Sequence, residues 1–380
     1  MFHPSHREPR TGGENPLEEW VEIHNRGFDS VNLAGWTLEG VGFTFPNVSI
    51  PGSGFLVIAA DEDAFRAQYP NILNMIGGWN GRLSNSGESL RLLNHTGAEI
   101  DHVDYADSGD WARRRPGFED RGHTGWIWDN PADGGGRTLE VRNLHSRNDL
   151  GQNWSFSAVE GGTPGVPNSV RQVNVAPFIE DVSHHPSVPG PRDLVLIRAR
   201  LSDDLSGQVR GAVHHRMSSL VPTAFTVTDM RDDGTGGDEV ANDNIFTAVL
   251  PAQPEGTTVE FYIEAFDRIQ SRTWPAPSQE NGLQEANLLY QVDSEQPASG
   301  DPFYRFILSV SELEDFLKIP FDSPERNTNA RFNATFIANV DGKTITRYQC
   351  ALRLRGSGTR SRYPRNCLLY TSPSPRDLLK

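Results

Sequence analysis

The residues with the most chemical potential sit near the carboxyl end. Arg353 to Arg365 reads Arg-Leu-Arg-Gly-Ser-Gly-Thr-Arg-Ser-Arg-Tyr-Pro-Arg. Glycines let a backbone approach phosphate oxygens closely, and guanidinium forks pair with those oxygens two at a time. The stretch is neither a Walker loop nor a protein-kinase glycine-rich loop, and a solvated basic hairpin accounts for the same residues equally well. A second concentration lies in Asp229-Met-Arg-Asp-Asp-Gly-Thr-Gly-Gly-Asp-Glu-Val-Ala-Asn-Asp-Asn244. Carboxylates among glycines suit calcium, which collects six to eight oxygens, so Asp229, Asp232, Asp233, Asp238 and Asp243 are calcium candidates. The spacing is not that of an EF-hand, and a set of Asx turns joining two strands is the competing reading.

Other groupings carry less. Asp101, Asp104, Asp107 and Asp110 recur every third residue; on a strand, neighbours in that series point to opposite faces and cannot share a metal. His184-His185 and His214-His215 are adjacent pairs with no Cys or acidic partner at a ligand spacing. There is no nucleophile-elbow motif. Trp111, Trp126 and Trp128, near Arg113-Arg-Arg115 and Gly134-Gly-Gly136, are either core residues or an exposed patch for a glycan or protein, since aromatic and Arg side chains dominate binding hot spots.

The elements that must carry these groups are mostly strands. In Glu19-Trp-Val-Glu-Ile-His-Asn25, Val21 and Ile23 fall on one face and Glu22 and His24 on the other, the signature of a strand with one apolar face. Similar segments follow at 36–38, 43–45, 54–59, 89–93 and 100–105. One short helix is expected from Asp61, an N-cap with acidic residues after it, to a stop at Pro70. Strand patterns resume at 194–199, 209–215, 225–228, 245–250 and 259–266, a spacing that suggests a second sandwich. After a linker at 293–301, Tyr304 to Leu308 is a strand. Ser311-Glu-Leu-Glu314 reads as a capping box, and 332–337 with 344–355 reads as a hairpin turning at Asp341-Gly342.

Several of these segments, in order, resemble a bacterial lamin tail domain. The motifs are Glu19 to Asn25, Leu33-Ala-Gly-Trp-Thr-Leu38, Ile50 to Ala59, Leu83 to Leu92, Gly136 to Glu140, and Gly162-Thr-Pro-Gly165 with Asn168. The resemblance implies an immunoglobulin-like sandwich over 1–170 that serves as an interaction or targeting module. The family opens with an Asn-Glu-Ile strand ahead of the equivalent of Met1-Phe-His-Pro4, so the first strand is expected to be missing. Residues 171–298, ending in Tyr262-Ile-Glu-Ala-Phe-Asp-Arg268, resemble an immunoglobulin or fibronectin-type-III-like sandwich. The order strand, helix, hairpin and Leu-Arg-Leu-Arg-Gly-Ser-Gly-Thr-Arg360 over 299–366 resembles the opening lobe of the spore-coat CotH-type kinases.

That last resemblance assigns Arg355, Gly356, Ser357, Thr359 and Arg360 to a nucleotide-binding stretch, with Arg365 where the family usually has Lys. It also implies ATP and Mg for the full-length protein. The family's metal-binding and catalytic aspartates come later, so catalytic residues are expected beyond Asn366 and the chain as given is expected to be inactive. Residues 367–380, beginning Cys367-Leu-Leu-Tyr-Thr-Ser, resemble a translated sequencing adapter.

Composition narrows the classes. A net charge of −15 argues against a nucleic-acid partner, whose phosphates need clustered cations. No apolar run reaches the roughly 18 residues of a membrane span. Cys350 and Cys367, the two cysteines, form no scaffold or zinc spacing. The expected fold class is mainly β: two immunoglobulin-like sandwiches in tandem followed by a partial α+β kinase-like lobe. The expected role is a fragment of a secreted or cell-surface protein that meets a protein or matrix partner. It is either attached to a CotH-like kinase domain or a non-enzymatic adhesion scaffold with a degenerate lobe.

Overall fold

The computed structural model describes residues 1–4, 14–204, 209–295, 303–319, 327–340 and 343–354, with the backbone of 368–371. It is mainly β, and its contacts divide the chain into two units: unit 1 holds Met1–Arg113 and Trp128–Val175, and unit 2 holds Arg114–Ile127 and Ala176–Lys380.

In unit 1 the strands are β1 (Trp20–His24), β2 (Val31–Asn32), β3 (Thr37–Glu39), β4 (Phe43–Thr44), β5 (Ser49–Ile50), β6 (Phe55–Ala59), β7 (Met75–Gly77), β8 (Gly87–Leu93) and β9 (Glu99–Ala106). After the hairpin β10 (Arg113–Asp120) and β11 (His123–Asp129) come β12 (Leu139–Val141) and β13 (Trp154–Phe156). One sheet runs β1-β6-β7 and another β4-β3-β8-β9, with small pairs β2-β5 and β12-β13. Leu38, Phe45, Ile58, Trp79 and Leu92 fill the space between sheets, the side to which Val21 and Ile23 point.

The polar face expected for β1 is also covered. Trp20, Val57, Ala59 and Phe65 form a second cluster there, beneath helix α1 (Glu62–Gln68). Seven residues are too few for a stable isolated helix, so α1 depends on Phe65, whose ring meets Trp20 edge-on at 6.1 Å, and on its cap. Asp61 is that cap: its Oδ1 accepts from the Ala64 amide at 2.8 Å, worth about 1 kcal/mol.

Between the two clusters Glu19 is fully buried. Its Oε2 accepts from the Leu83 amide at 2.6 Å, yet burial outweighs that hydrogen bond and pushes the carboxyl up to about 7. An acid whose pKa rises on folding binds its proton more tightly in the native state. Its charge therefore costs stability above about pH 7, the cost fades as pH falls, and it is gone below the unfolded value of 4.5. Glu19→Gln should accordingly gain stability relative to the parent as pH rises from about 5 to 8, on the order of 3 kcal/mol at the upper end. Urea unfolding of both proteins across that range checks it; parallel curves would refute it.

Unit 2 holds β14 (Phe178–His185), β15 (Val195–Ser202), β16 (Arg210–Met217), β17 (Thr226–Asp229), β18 (Ile245–Leu250), β19 (Thr258–Phe266), β20 (Ser271–Trp274) and β21 (Leu288–Gln291). They make two sheets, β14-β15-β18 and β17-β16-β19-β20, with β21 also pairing β19. Val195, Ile197, Ala199 and Leu201 alternate inward from β15 and meet Val259, Phe261, Ile263 and Ala265 from β19.

A third sheet of unit 2 runs β22 (Phe303–Leu308), β23 (Phe332–Val340), β24 (Lys343–Leu354) and β25 (Leu368–Thr371). Asp341 and Gly342, the expected turn, lie outside the described residues; the strands flanking them pair Val340 with Lys343. Tyr348 of β24 belongs to the sandwich core, where its hydroxyl bonds His184 Nδ1 and its ring meets Phe261 edge-on at 5.8 Å. The helix α2 (Val310–Lys318) is capped by Ser309, whose hydroxyl accepts from the Glu312 amide at 3.2 Å. The expected box at Ser311 and Glu314 is thus shifted by two residues. Glu314 instead pairs with Lys318 at 2.8 Å, and Glu312 turns its carboxylate to Trp126 and to the Asn333 amide.

Trp126 comes from the hairpin β10-β11, a stretch for which the sequence offers no strand pattern. Its residues 114–127 belong to unit 2. The Trp126 amide donates to Arg331 O at 2.7 Å, and the Thr328 hydroxyl to Asp120 O at 2.8 Å. Gly125 is required by this approach, since a Cβ there would lie 2.1 Å from the Arg331 nitrogen.

Candidate metal centre

The loop 230–244 leaves β17 and enters β18, which lie in different sheets of unit 2. Its start is anchored to β18 by reciprocal backbone hydrogen bonds between Arg231 and Thr247 at 2.9 and 2.8 Å. Its local chemistry is a chain of Asx turns, as one reading of the sequence anticipates. The Gly234 amide donates to Asp238 Oδ2 at 2.6 Å, the Ile245 amide to Asp243 Oδ1 at 2.9 Å, and the Asp243 and Asn244 amides to the two oxygens of Asp232 at 3.1 and 3.2 Å. Asn242 and Asn244 take φ of 60° and 65°, a region that Asn tolerates better than most residues, and this winds the chain back over Asp232. Gly237 has φ +95°, and a Cβ there would stand 2.7 Å from Val249 Cγ2, so only glycine lets the loop lie this close to β18.

The winding brings three of the five candidate carboxylates together. One oxygen from each of Asp232, Asp238 and Asp243 lies within 4.8 Å of the other two. Asp238 is buried, 7% exposed. Calcium binds oxygens at 2.3–2.6 Å, so oxygens on opposite sides of one ion stand about 5 Å apart. A carboxylate offers about four lone-pair sites, and the turn hydrogen bonds leave most of them free. Three carboxylates converge and no Lys or Arg among the described residues pairs with them; the donor set fits a hard divalent cation. Asp229 and Asp233 fall outside the cluster. Asp229 is paired opposite Ala212 at the end of β17. Asp233 is exposed, bonded to the Thr235 amide and hydroxyl and 3.6 Å from Arg231, contacts that hold its carboxyl below the usual range.

The remaining sequence candidates separate. Arg355, Gly356, Ser357, Thr359, Arg360 and Arg365 lie outside the described residues. Asp101 accepts from Asn148 at 2.9 Å and Asp110 from Gln152 at 2.9 Å, each serving its own loop. His184 is buried between Tyr348 and Ser187 O, and burial drives its pKa down to about 4. His214 bonds Glu264 and His215 bonds Thr228, at 3.0 and 3.1 Å. Among the described residues neither pair gathers with two or more further metal-ligating side chains. The tryptophans do not form one patch: Trp111 packs at a tilt against Trp154, 5.6 Å between ring centres, in unit 1, and Trp126 bonds Glu312 in unit 2.

One feature of unit 1 escaped sequence reasoning. A cleft of about 410 Å³, bordered by β1 and β12, is walled by Ile23, Trp36, Trp111, Leu139 and Trp154. Glu22 also reaches it; the Gly165 amide donates to that carboxylate, and desolvation raises its pKa to about 7. The only advance signal is the acidic residue at the centre of an apolar strand pattern.

Residues 6–107 match the family model of the Lamin Tail Domain. Domains of that family are immunoglobulin-like modules of the interaction or structural kind. The match ends at Asp107, whereas the resemblance read from the sequence extends to 170; in the structure 128–175 belong to the same unit as 1–113. No curated protein matches the chain. No helix among the described residues is long and apolar enough to cross a membrane.

Crowding three carboxylates costs stability when no cation balances them. Asp238→Asn keeps an acceptor for the Gly234 amide and removes one charge. In EDTA it should be more stable than the parent by about 0.5–1 kcal/mol, the scale of charge pairs near a surface. Urea unfolding in EDTA measures this, and a destabilised variant would show that the aspartates are not crowded.

Proposed function

We propose that the chain is an interaction scaffold of a secreted or cell-surface protein, with a lamin tail module in unit 1 and a calcium-braced loop in unit 2. The observation that carries the calcium reading is the convergence of Asp232, Asp238 and Asp243. Bound calcium would join β17 to β18, and so one sheet of the sandwich to the other, through the loop that connects them. Sites with few charged ligands on extracellular modules bind calcium at about 10⁻⁴–10⁻³ M, a range that suits a protein working outside the cell. The scarcity of cysteine agrees with a fold that relies on burial and cation bracing.

A ligand bound only by the folded state raises stability by mass action, about 2.7 kcal/mol at a hundredfold excess over Kd. The melting temperature of the intact chain should therefore rise as calcium is added to the millimolar range, and Asp238→Asn should lose that rise. Magnesium, which demands a tighter octahedron, should do much less. An unchanged melting curve with calcium would retire the proposal.

A second reading concerns the carboxyl end. The order β22, α2, β23, β24, followed by Arg355, Gly356, Ser357, Thr359, Arg360 and Arg365, supports a CotH-type opening lobe that would take ATP and Mg in a longer protein. Against it stands an adhesion scaffold in which the lobe is degenerate. If the nucleotide stretch works, the chain should bind ATP weakly without transferring phosphate. Binding should fall at least about tenfold in the double variant Arg355→Ala, Arg360→Ala, the loss expected when charge-assisted pairs are removed. Calorimetry with ATP and Mg decides: affinity equal in parent and variant removes these arginines from the reading.

A further inference from the structure

In unit 2, two strands follow one another along a single edge of β19. β20 pairs residues 263–266 and β21 pairs residues 258–261, both antiparallel, while β16 pairs 259–266 on the other edge. The segment 275–287 carries the chain from β20 to β21 outside the ladder. One of its side chains turns back to β20. Gln284 is buried, and its Nε2 donates to Thr273 Oγ1 at 2.5 Å and to Pro275 O at 3.3 Å. A carboxamide C–N bond is about 1.33 Å long, so the Thr273 oxygen stands at most about 3.8 Å from Gln284 Cδ. Reacting atoms meet at about 3–3.5 Å, and a small turn of the amide covers the difference.

A base stands on the same face of the sheet. Thr273 lies directly opposite Glu264 in the β19-β20 ladder, and side chains so paired share a face with their Cβ atoms about 5 Å apart. The Glu264 carboxylate is itself held by His214 Nε2 at 3.0 Å. A hydroxyl is a weak nucleophile until an adjacent base takes its proton. Here a hydroxyl, a carboxylate and a buried carboxamide are set side by side.

We propose that Thr273 and Gln284 join in an intramolecular ester. Glu264 takes the Thr273 hydroxyl proton and Oγ1 bonds to Gln284 Cδ. The Cδ–Nε2 bond then breaks, the nitrogen takes the proton from Glu264, and ammonia leaves. One C–O bond replaces one C–N bond, with no oxidant, reductant or added reagent, and escape of ammonia into solution pulls the exchange forward. Holding the two groups in one geometry supplies the rate that a free alcohol and amide lack. The cross-link fastens the end of β20 to the segment that enters β21, and so secures both strands along one edge of β19. It is independent of the calcium loop and of the lamin tail match.

The test is the intact mass of the full chain, followed over days after purification. The expected mass is below that of the sequence by one ammonia, about 17 Da, the leaving group of the acyl transfer. Fragmentation should find Thr273 and Gln284 in one cross-linked peptide. Mild alkali should open the link and leave a carboxylic acid where the Gln284 amide stood. Thr273→Ser should keep the lighter species and Thr273→Val should lose it. Glu264→Gln should slow its appearance by about tenfold or more; an equal rate would remove Glu264 as the base. A parent chain that keeps its full mass, with Thr273 and Gln284 recovered in separate unmodified peptides, would overturn the ester whatever the variants do. Loss of ammonia that persists in Thr273→Val would place the reaction at another amide and overturn it as well.

Discussion

Glu260 sits 6% exposed in the middle of unit 2, and a carboxylate so placed must collect donors or destabilise the fold. Its donors come from across the unit. Arg216 bonds it at 2.8 Å, the Ser218 hydroxyl at 2.7 Å and Asn287 Nδ2 at 3.1 Å. Ser218 in turn accepts from the Val310 amide at the start of α2, Asn287 O accepts from Asn333, and the Asn333 amide donates to Glu312, which also holds Trp126. One buried charge thereby ties the sandwich, α2, the third sheet and the hairpin 114–127 into a single polar network. Apolar packing alone would allow these layers to slide; directional bonds to a buried group fix their register.

The same constraint operates on a smaller scale elsewhere. In unit 1, Glu140 is satisfied by Thr163, the Ser169 amide and the Ser169 hydroxyl at 2.7–2.8 Å, which pins the segment 163–169 to β12. Glu19 draws the Leu83 amide to β1. In the loop 230–244 the carboxylates are nearer solvent and recruit their own neighbours' amides, and the winding that results brings three of them together. A structural device for closing turns and an arrangement suited to a cation are here the same set of residues.

Period-two alternation at Val21 and Ile23, at Val195 to Ala199 and at Val259 to Ala265 was legible because each side chain's face follows from strand geometry alone. The cap at Asp61 was legible because capping is local. The start of α2 was not. Ser309 and Ser311 are both acceptable caps, and the choice depended on Trp126 and Asn333 claiming Glu312. The hairpin at 113–129 was hidden because its Arg, Pro and Gly composition has no apolar period; its place in unit 2 rests on bonds to residues some two hundred positions away.

For the candidate metal centre, residue type and a glycine-rich spacing already indicated oxygen ligands for calcium, since those are properties of composition. Which three of five aspartates converge was decided by tertiary structure, through the left-handed Asn242 and Asn244 and the close approach of Gly237 to β18. Strand content and the match of residues 6–107 to the lamin tail family were likewise written in local pattern. The cleft beside β1 was not, because a strand's sequence records which way its side chains face but not which distant residues close around them.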